Sequence, residues 1–295
     1  MALAPILLEG NQLQTKFDLA EHSKKESAKA HSIQTRQWET AVAPIQVSPH
    51  TYYVGNEWVG VFWIDTGDGL ILLDAGMPEQ IYWIFEGMRS CGFDPRDIKL
   101  ALLSHAHFDH CGGMRAVLEY TNALCYAAKE DADELINPTE DNLLRYGEDY
   151  QIVTPDRYYV AEENITLGDI SIKPVVIGGH TPGTTCFFYT DVDEHGREYE
   201  VGVHGGLGFR KLADQYFDNA EAAIAARMDY RKAQEKVIDR KIDIPLSFHP
   251  YNTNIVEKSS RGSWRAMIDP EGWKKMELTR LKMLSDIEEA SVFKK

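Results

Sequence analysis

A chain of 295 residues, 43% hydrophobic and 11% aromatic, is long enough to bury a sizeable core and reads as one large α/β domain with extensions. Its formal charge of -15 works against nucleic acid and anionic membranes, which leaves small molecules as the expected partners. No run is long and apolar enough for a transmembrane helix.

Four cysteines, Cys91, Cys111, Cys125 and Cys186, have neither metal-ligand spacing nor the density of a disulfide framework, so free and mostly buried thiols are expected. Met1 to Leu8 is apolar but lacks basic residues and runs through Pro5 into Glu9, which makes a poor secretory signal. A cytoplasmic protein is the default expectation, with a periplasmic or secreted one if a leader has been removed. Residues 9–37 are polar and charged with a weak helical face at Phe17, Leu19 and Ala20, so residues 1–37 read as a helical arm or extension to a main domain at 38–295.

An aromatic-rich β region comes next: Thr51 to Val54, Trp58 to Ile64, a turn over Asp65-Thr66-Gly67-Asp68-Gly69, and Leu70 to Leu73. Asp74 follows as either a turn residue or a hydrogen-bond partner of a nearby site. Ile81, Ile84, Phe85 and Met88 share one helical face, and Ile98 to Leu103 is a buried strand. Beyond it a helix over Met114 to Tyr120, a strand over Ala123 to Ala127 and a helix over Lys129 to Ile136 continue the α/β alternation. Residues 137–160 read as a long connection bordering the site, and Ile165 to Ile177 as a hairpin. A long amphipathic helix is expected over 214–240 and a final one carrying Trp273, Met276, Leu278, Leu281 and Leu284. His22, His31, His50 and His195 lie in polar or turn contexts and are expected to face solvent.

The chemistry concentrates after the buried strand, in Ser104-His105-Ala106-His107-Phe108-Asp109-His110-Cys111-Gly112-Gly113. A strand continued through His105 and His107 would place both rings on one face, where they could reach a single ion. Asp109 and His110 sit where the backbone turns and can address a second ion. Three histidines and a carboxylate buried together without partners would be costly, which favours metal ligation over a set of satisfied core histidines. About seventy residues further on, Gly178-Gly179-His180-Thr181-Pro182-Gly183 places another imidazole at a strand end.

His-x-His-x-Asp-His at a strand end resembles the hallmark of the metallo-β-lactamase superfamily, and Gly-His-Thr-Pro-Gly is similar to its third metal motif. The resemblance implies a four-layer αβ/βα sandwich. It further implies one zinc held by His105, His107 and His180, and a second by Asp109, His110 and a later histidine. Many members place a bridging Asp after the next strand; here Val203-His204-Gly205-Gly206 has none, and Gly206 occupies that place. The sixth ligand is therefore expected at His249 in Phe248-His249-Pro250, with His204 as the rival, expected in a supporting or structural role.

This pattern resembles the third subclass (subclass B3) of the class B β-lactamases over about Trp38 to Phe293, including the closing Ile268-Asp269-Pro270-Glu271-Gly272-Trp273. The chain departs from it in lacking a convincing leader, a C-terminal cysteine pair, and polar residues at Gly205-Gly206. The resemblance implies two zinc ions as cofactors and antibiotic resistance through β-lactam hydrolysis, with the amide opened by a zinc-bound hydroxide and Asp109 both ligating and orienting the nucleophile. Hydrolysis of other cyclic amides, lactones or thioesters, and a zinc-dependent sensor or binding protein without turnover, stay open as alternatives. A flavodiiron-type oxidoreductase is disfavoured, since that group usually has Glu where this chain has His107. Arg210 is a weak candidate for a substrate carboxylate.

Overall fold

The strands follow from short apolar runs closed by turns, and the computed structural model describes residues 39–139 and 151–293. In one sheet β1 (Ala41–Gln46), β2 (Thr51–Asn56), β3 (Gly60–Asp65), β4 (Leu70–Leu73), β5 (Ile98–Leu102), β6 (Leu124–Ala127) and β7 (Arg157–Tyr158) lie in sequence order. The first four form an antiparallel meander; β4 to β7 are parallel neighbours. Parallel pairing demands crossovers, and these carry α1 (Ile81–Ser90), α2 (Phe108–Cys111), α3 (Met114–Thr121) and α4 (Ala132–Ile136).

The second sheet runs β12 (Ile244–Ser247), β11 (Glu198–His204), β10 (Thr185–Val192), β9 (Ile170–Val176), β8 (Ile165–Leu167). Its one parallel pair, β11 with β12, is bridged by α5 (Ala220–Glu235), while α6 (Ile255–Ser259) and α7 (Gly272–Ala290) follow β12.

Strand alternation divides the apolar side chains between two cores. Phe62 and Ile64 of β3 and Ile71 and Leu73 of β4 meet Phe187, Val201, Val203 and Leu246 of the second sheet. Their neighbours Val61, Trp63, Leu70 and Leu72 turn the other way, onto Ile84 and Met88 of α1 and Met114 and Val117 of α3. Both faces of β4 are therefore buried, which is why it reads as an unbroken apolar run. Beyond the second sheet, Cys186 and Phe188 pack on Trp273 and Met276 of α7, giving four layers in the order helix, sheet, sheet, helix.

Several expectations are corrected. β5 ends at Leu102, so strand alternation does not align His105 and His107; both lie in the loop leading into α2. Edge strand β1 was not expected, because its burial alternates only between half-buried and exposed and it contains Pro44. The helix expected from 214 begins at Ala220, where the Asn219 side chain accepts from the Ala222 N–H at 2.9 Å. Asp214–Tyr216 forms a separate 3-10 turn. His50 is not simply solvent-facing: its Nδ1 lies 2.7 Å from Asp191 Oδ1, and the Ser48 hydroxyl donates to the same carboxylate, joining the β1–β2 turn to β10. His195 is exposed as expected. The arm expected over 1–37, with His22 and His31, and part of the 137–160 connection lie outside the described residues. Among the described residues no helix is long and apolar enough to cross a membrane.

Candidate metal centre

The loops after β4, β5 and β9 and the ends of β11 and β12 gather at one edge of the sandwich. There His105 Nε2 lies 3.2 Å from His107 Nδ1, which lies 3.0 Å from His180 Nε2. Beside this triad, Asp109 Oδ2 is 3.7 Å from His110 Nε2 and 3.6 Å from His249 Nε2. Within each group of three, every candidate ligand atom lies within 4.8 Å of the others. His204 belongs to neither group.

Hydrogen bonds on the far side of four rings fix which nitrogen faces inwards. His180 Nδ1 donates to the Gly208 carbonyl at 2.8 Å, and His249 Nδ1 to the Trp58 carbonyl at 2.7 Å. His110 Nδ1 donates to Asp74 Oδ2 at 2.7 Å. The Ser104 hydroxyl donates to Asp74 at 2.6 Å and so presents a lone pair to His105 Nδ1 at 3.0 Å. Each Nε2 is then a lone pair aimed at the centre of its group.

Burial lowers the basicity of three of these rings: His105 falls well below the ordinary imidazole value, and His180 and His249 fall to about 4. His110 is also penalised by burial, but Asp109 and Asp74 outweigh that and raise it. In the first group imidazole lone pairs converging at about 3 Å repel one another unless a cation lies between them, and in the second two imidazole nitrogens flank a carboxylate oxygen at 3.6–3.7 Å, so each group fits a metal ion by its donor chemistry.

Residues 54–195 match the family model described as the metallo-beta-lactamase superfamily. Over that stretch the chain carries a metallo-β-lactamase superfamily domain. A subclass B3 metallo-β-lactamase of Bradyrhizobium japonicum, 27% identical, superposes with a TM-score of 0.74 over 85% of this chain and 95% of that one. A β-lactamase from Chitinophaga pinensis is 26% identical, with a TM-score of 0.73 over 84% of this chain and 94% of the other. Among curated proteins, an N-acyl homoserine lactonase of a Bacillus species is 26% identical over 152 residues, 43% of this chain and 54% of the relative. The chain thus spans about half the length of that lactonase. The hydroxyacylglutathione hydrolase GloC of Haemophilus influenzae is 24% identical over 56% of this chain and 74% of its own.

A Cβ at Gly206 would meet His180 Cδ2 at 2.5 Å. At Gly208 a Cβ would lie 2.4 Å from His180 Cε1. The glycines form the backbone cradle against which the ring packs.

Sequence reading missed Asp131. Buried at the start of α4, its carboxylate accepts from the Ala106 N–H at 2.9 Å, the Thr181 hydroxyl at 2.8 Å and the Gly183 N–H at 2.6 Å. One side chain thereby ties the His105–His107 loop to the His180 loop. Asp74, left open between two roles, is a hydrogen-bond partner of the site and holds φ at 60°. On the His249 side, the Trp58 ring lies 5.4 Å from His249 and 6.3 Å from Phe108, and Tyr251 lies 5.6 Å from His249. These rings form an aromatic wall beside the second group.

Proposed function

We propose that this chain is a di-zinc hydrolase that opens the amide of β-lactams. The observation that carries the reading is the pair of groups His105/His107/His180 and Asp109/His110/His249, with Asp109 the sole carboxylate among the six donors. Zinc held by these residues supplies a Lewis acid and lowers the pKa of a bound water to about 7.

The side chains supply position and polarity. Asp109, poised between His110 and His249, orients the attacking water, and its carboxylate can accept a hydrogen bond from it. Asp74 and Ser104 lock the tautomers of His110 and His105, so that ring reorientation adds nothing to the barrier. Trp58, Phe108 and Tyr251 present apolar surface that displaces bulk water from one side of the substrate. The β-lactamases of Bradyrhizobium japonicum and Chitinophaga pinensis, matched across most of their length, support the lactam as substrate.

A lactone is the second reading, favoured by the likeness to the N-acyl homoserine lactonase. Both substrates are strained or activated cyclic acyl groups, and the same donors serve either. The deciding experiment measures kcat/KM of the zinc-loaded chain on a penicillin, a carbapenem, an N-acyl homoserine lactone and an S-acyl glutathione. Chelator-sensitive lactam turnover, with kcat in the usual range of about 1–1000 per second, supports the proposal. Lactone or thioester turnover with inert lactams overturns the substrate assignment.

A further inference from the structure

Behind the Gly205–Gly208 segment, on the side away from the metal groups, three polar side chains from three elements meet in the interior. They are His204 at the end of β11, Gln234 in α5 and Glu277 in α7, each fully buried. Glu277 Oε1 lies 3.3 Å from His204 Nε2, and the Gln234 amide faces the same ring. His204 Nε2, both amide atoms of Gln234 and both carboxyl oxygens of Glu277 are buried without an aligned hydrogen-bond partner, although Nε2 and the Glu277 carboxyl lie at contact distance. Five buried polar atoms without other partners would be costly, unless they serve one another.

The ring's other nitrogen decides its chemistry. The Gly206 N–H donates to His204 Nδ1 at 3.1 Å, so in the neutral ring the proton sits on Nε2. That makes Nε2 a donor aimed at Glu277 and rules it out as a metal ligand. A neutral carboxyl suits this place, since its carbonyl oxygen can accept from Nε2–H and its hydroxyl adds a donor to a pocket that also holds the Gln234 amide. We infer that His204, Gln234 and Glu277 form a buried, uncharged hydrogen-bond relay that fixes the Gly205–Gly208 segment and, through it, the ring of His180.

The remaining contacts support this. Burial raises Glu277 to about 8, opposed only by Arg280, and lowers His204 to about 3, with Arg280 and His180 adding to the effect. Both groups are uncharged at neutral pH. The segment they hold is clamped elsewhere as well: Tyr230 of α5 donates to the Leu207 carbonyl at 2.9 Å, and a Cβ on Gly205 would lie 2.0 Å from the Thr185 carbonyl oxygen. Its far end accepts the His180 Nδ1–H at Gly208. The inference rests on the proposed role of His180 as a ligand.

The test is a competitive zinc titration that resolves the two site affinities in the wild type, Glu277→Gln and Glu277→Leu. Glu277→Gln preserves a neutral partner and should stay within about threefold of wild type at both sites, whereas Glu277→Leu should weaken one site by about 10–100-fold and spare the other. Equal weakening of both sites, no weakening, or a Gln variant as impaired as the Leu variant would overturn the relay. Should Glu277→Leu fail to fold, nitrogen NMR of His204 in the wild type decides: a neutral Nε2–H tautomer across pH 6–8 supports the relay, and a charged ring or an Nδ1–H tautomer overturns it. A wild type that binds no zinc contradicts the metal-site reading instead, and the tautomer measurement then decides the relay.

Discussion

Asp131 accepts three donors from two loops that are remote in sequence, 25 residues away at Ala106 and 50 or more at Thr181 and Gly183. Replacing it by Ala strands two buried N–H groups at a cost of about 1–3 kcal/mol each and frees both loops that carry the first histidine group. Asp131→Ala is expected to lose about 10–100-fold in zinc affinity, read by chelator competition, while circular dichroism stays that of a folded chain. Nothing in Lys129-Glu130-Asp131 announces this, since a carboxylate at the start of a helix is ordinary and only the folded chain brings its donors to it. His105, His107, Asp109 and His110 stand out in the sequence for the opposite reason, since adjacent histidines and an aspartate are costly to bury without an ion, whereas pairing them with His180 and His249 came from the family resemblance. Glu277 makes a second prediction at this scale. Its rise from the ordinary 4.5 to about 8 means the folded chain binds more protons than the unfolded one across that window. Stability is therefore full below about pH 4.5 and is lost as pH climbs towards about 8, by up to about 5 kcal/mol. Glu277→Gln should remove this component and unfold at higher denaturant than wild type at pH 8; a wild type at least as stable as the variant there would refute a neutral Glu277.

At the scale of elements, the site depends on how strands end. β5 stops at Leu102, and it is the hydrogen bonds of Ser104 to Asp74 and of Ala106 to Asp131, not strand alternation, that aim His105 and His107 at one point. Apolar patterning located the strand but cannot say where its ladder ends, because Leu103 is as buried as the residues before it. Edge strand β1 escaped notice for the converse reason: it buries too little to imprint a pattern. The Gly205–Gly208 segment is the element most exposed to single changes. In Gly208→Ala a methyl placed 2.4 Å from His180 Cε1 must push the ring aside. The expected result is a loss of about 10–100-fold in affinity at one zinc site with the other retained, measured by the same titration. Unchanged affinity at both would mean that the cradle does not position the ring.

For the molecule as a whole, segments adjoining both sheets contribute side chains to each proposed metal group, so a bound metal would staple the sandwich. His105 and His107 follow β5 of one sheet and His180 precedes β10 of the other; Asp109 and His110 belong to the first and His249 follows β12 of the second. Metal present at about 100 times its dissociation constant adds about 2.7 kcal/mol per site. In a chain of this size a chelator should therefore lower the melting temperature by roughly 5–10 °C per site, read by differential scanning calorimetry. The α/β alternation was legible in the apolar runs, whereas the four-layer arrangement was an expectation of the family resemblance that the two sheets bear out. The contact that joins the sheets through Ser48, His50 and Asp191 was not, since it pairs a turn with a strand far along the chain. The most direct measurement is native mass spectrometry of zinc stoichiometry in the wild type, His180→Ala and His249→Ala. Two ions in the wild type and one in each variant would match two separate three-donor groups spanning both sheets. Two ions retained in both variants, or none in the wild type, would contradict the metal centre on which the proposed hydrolysis depends.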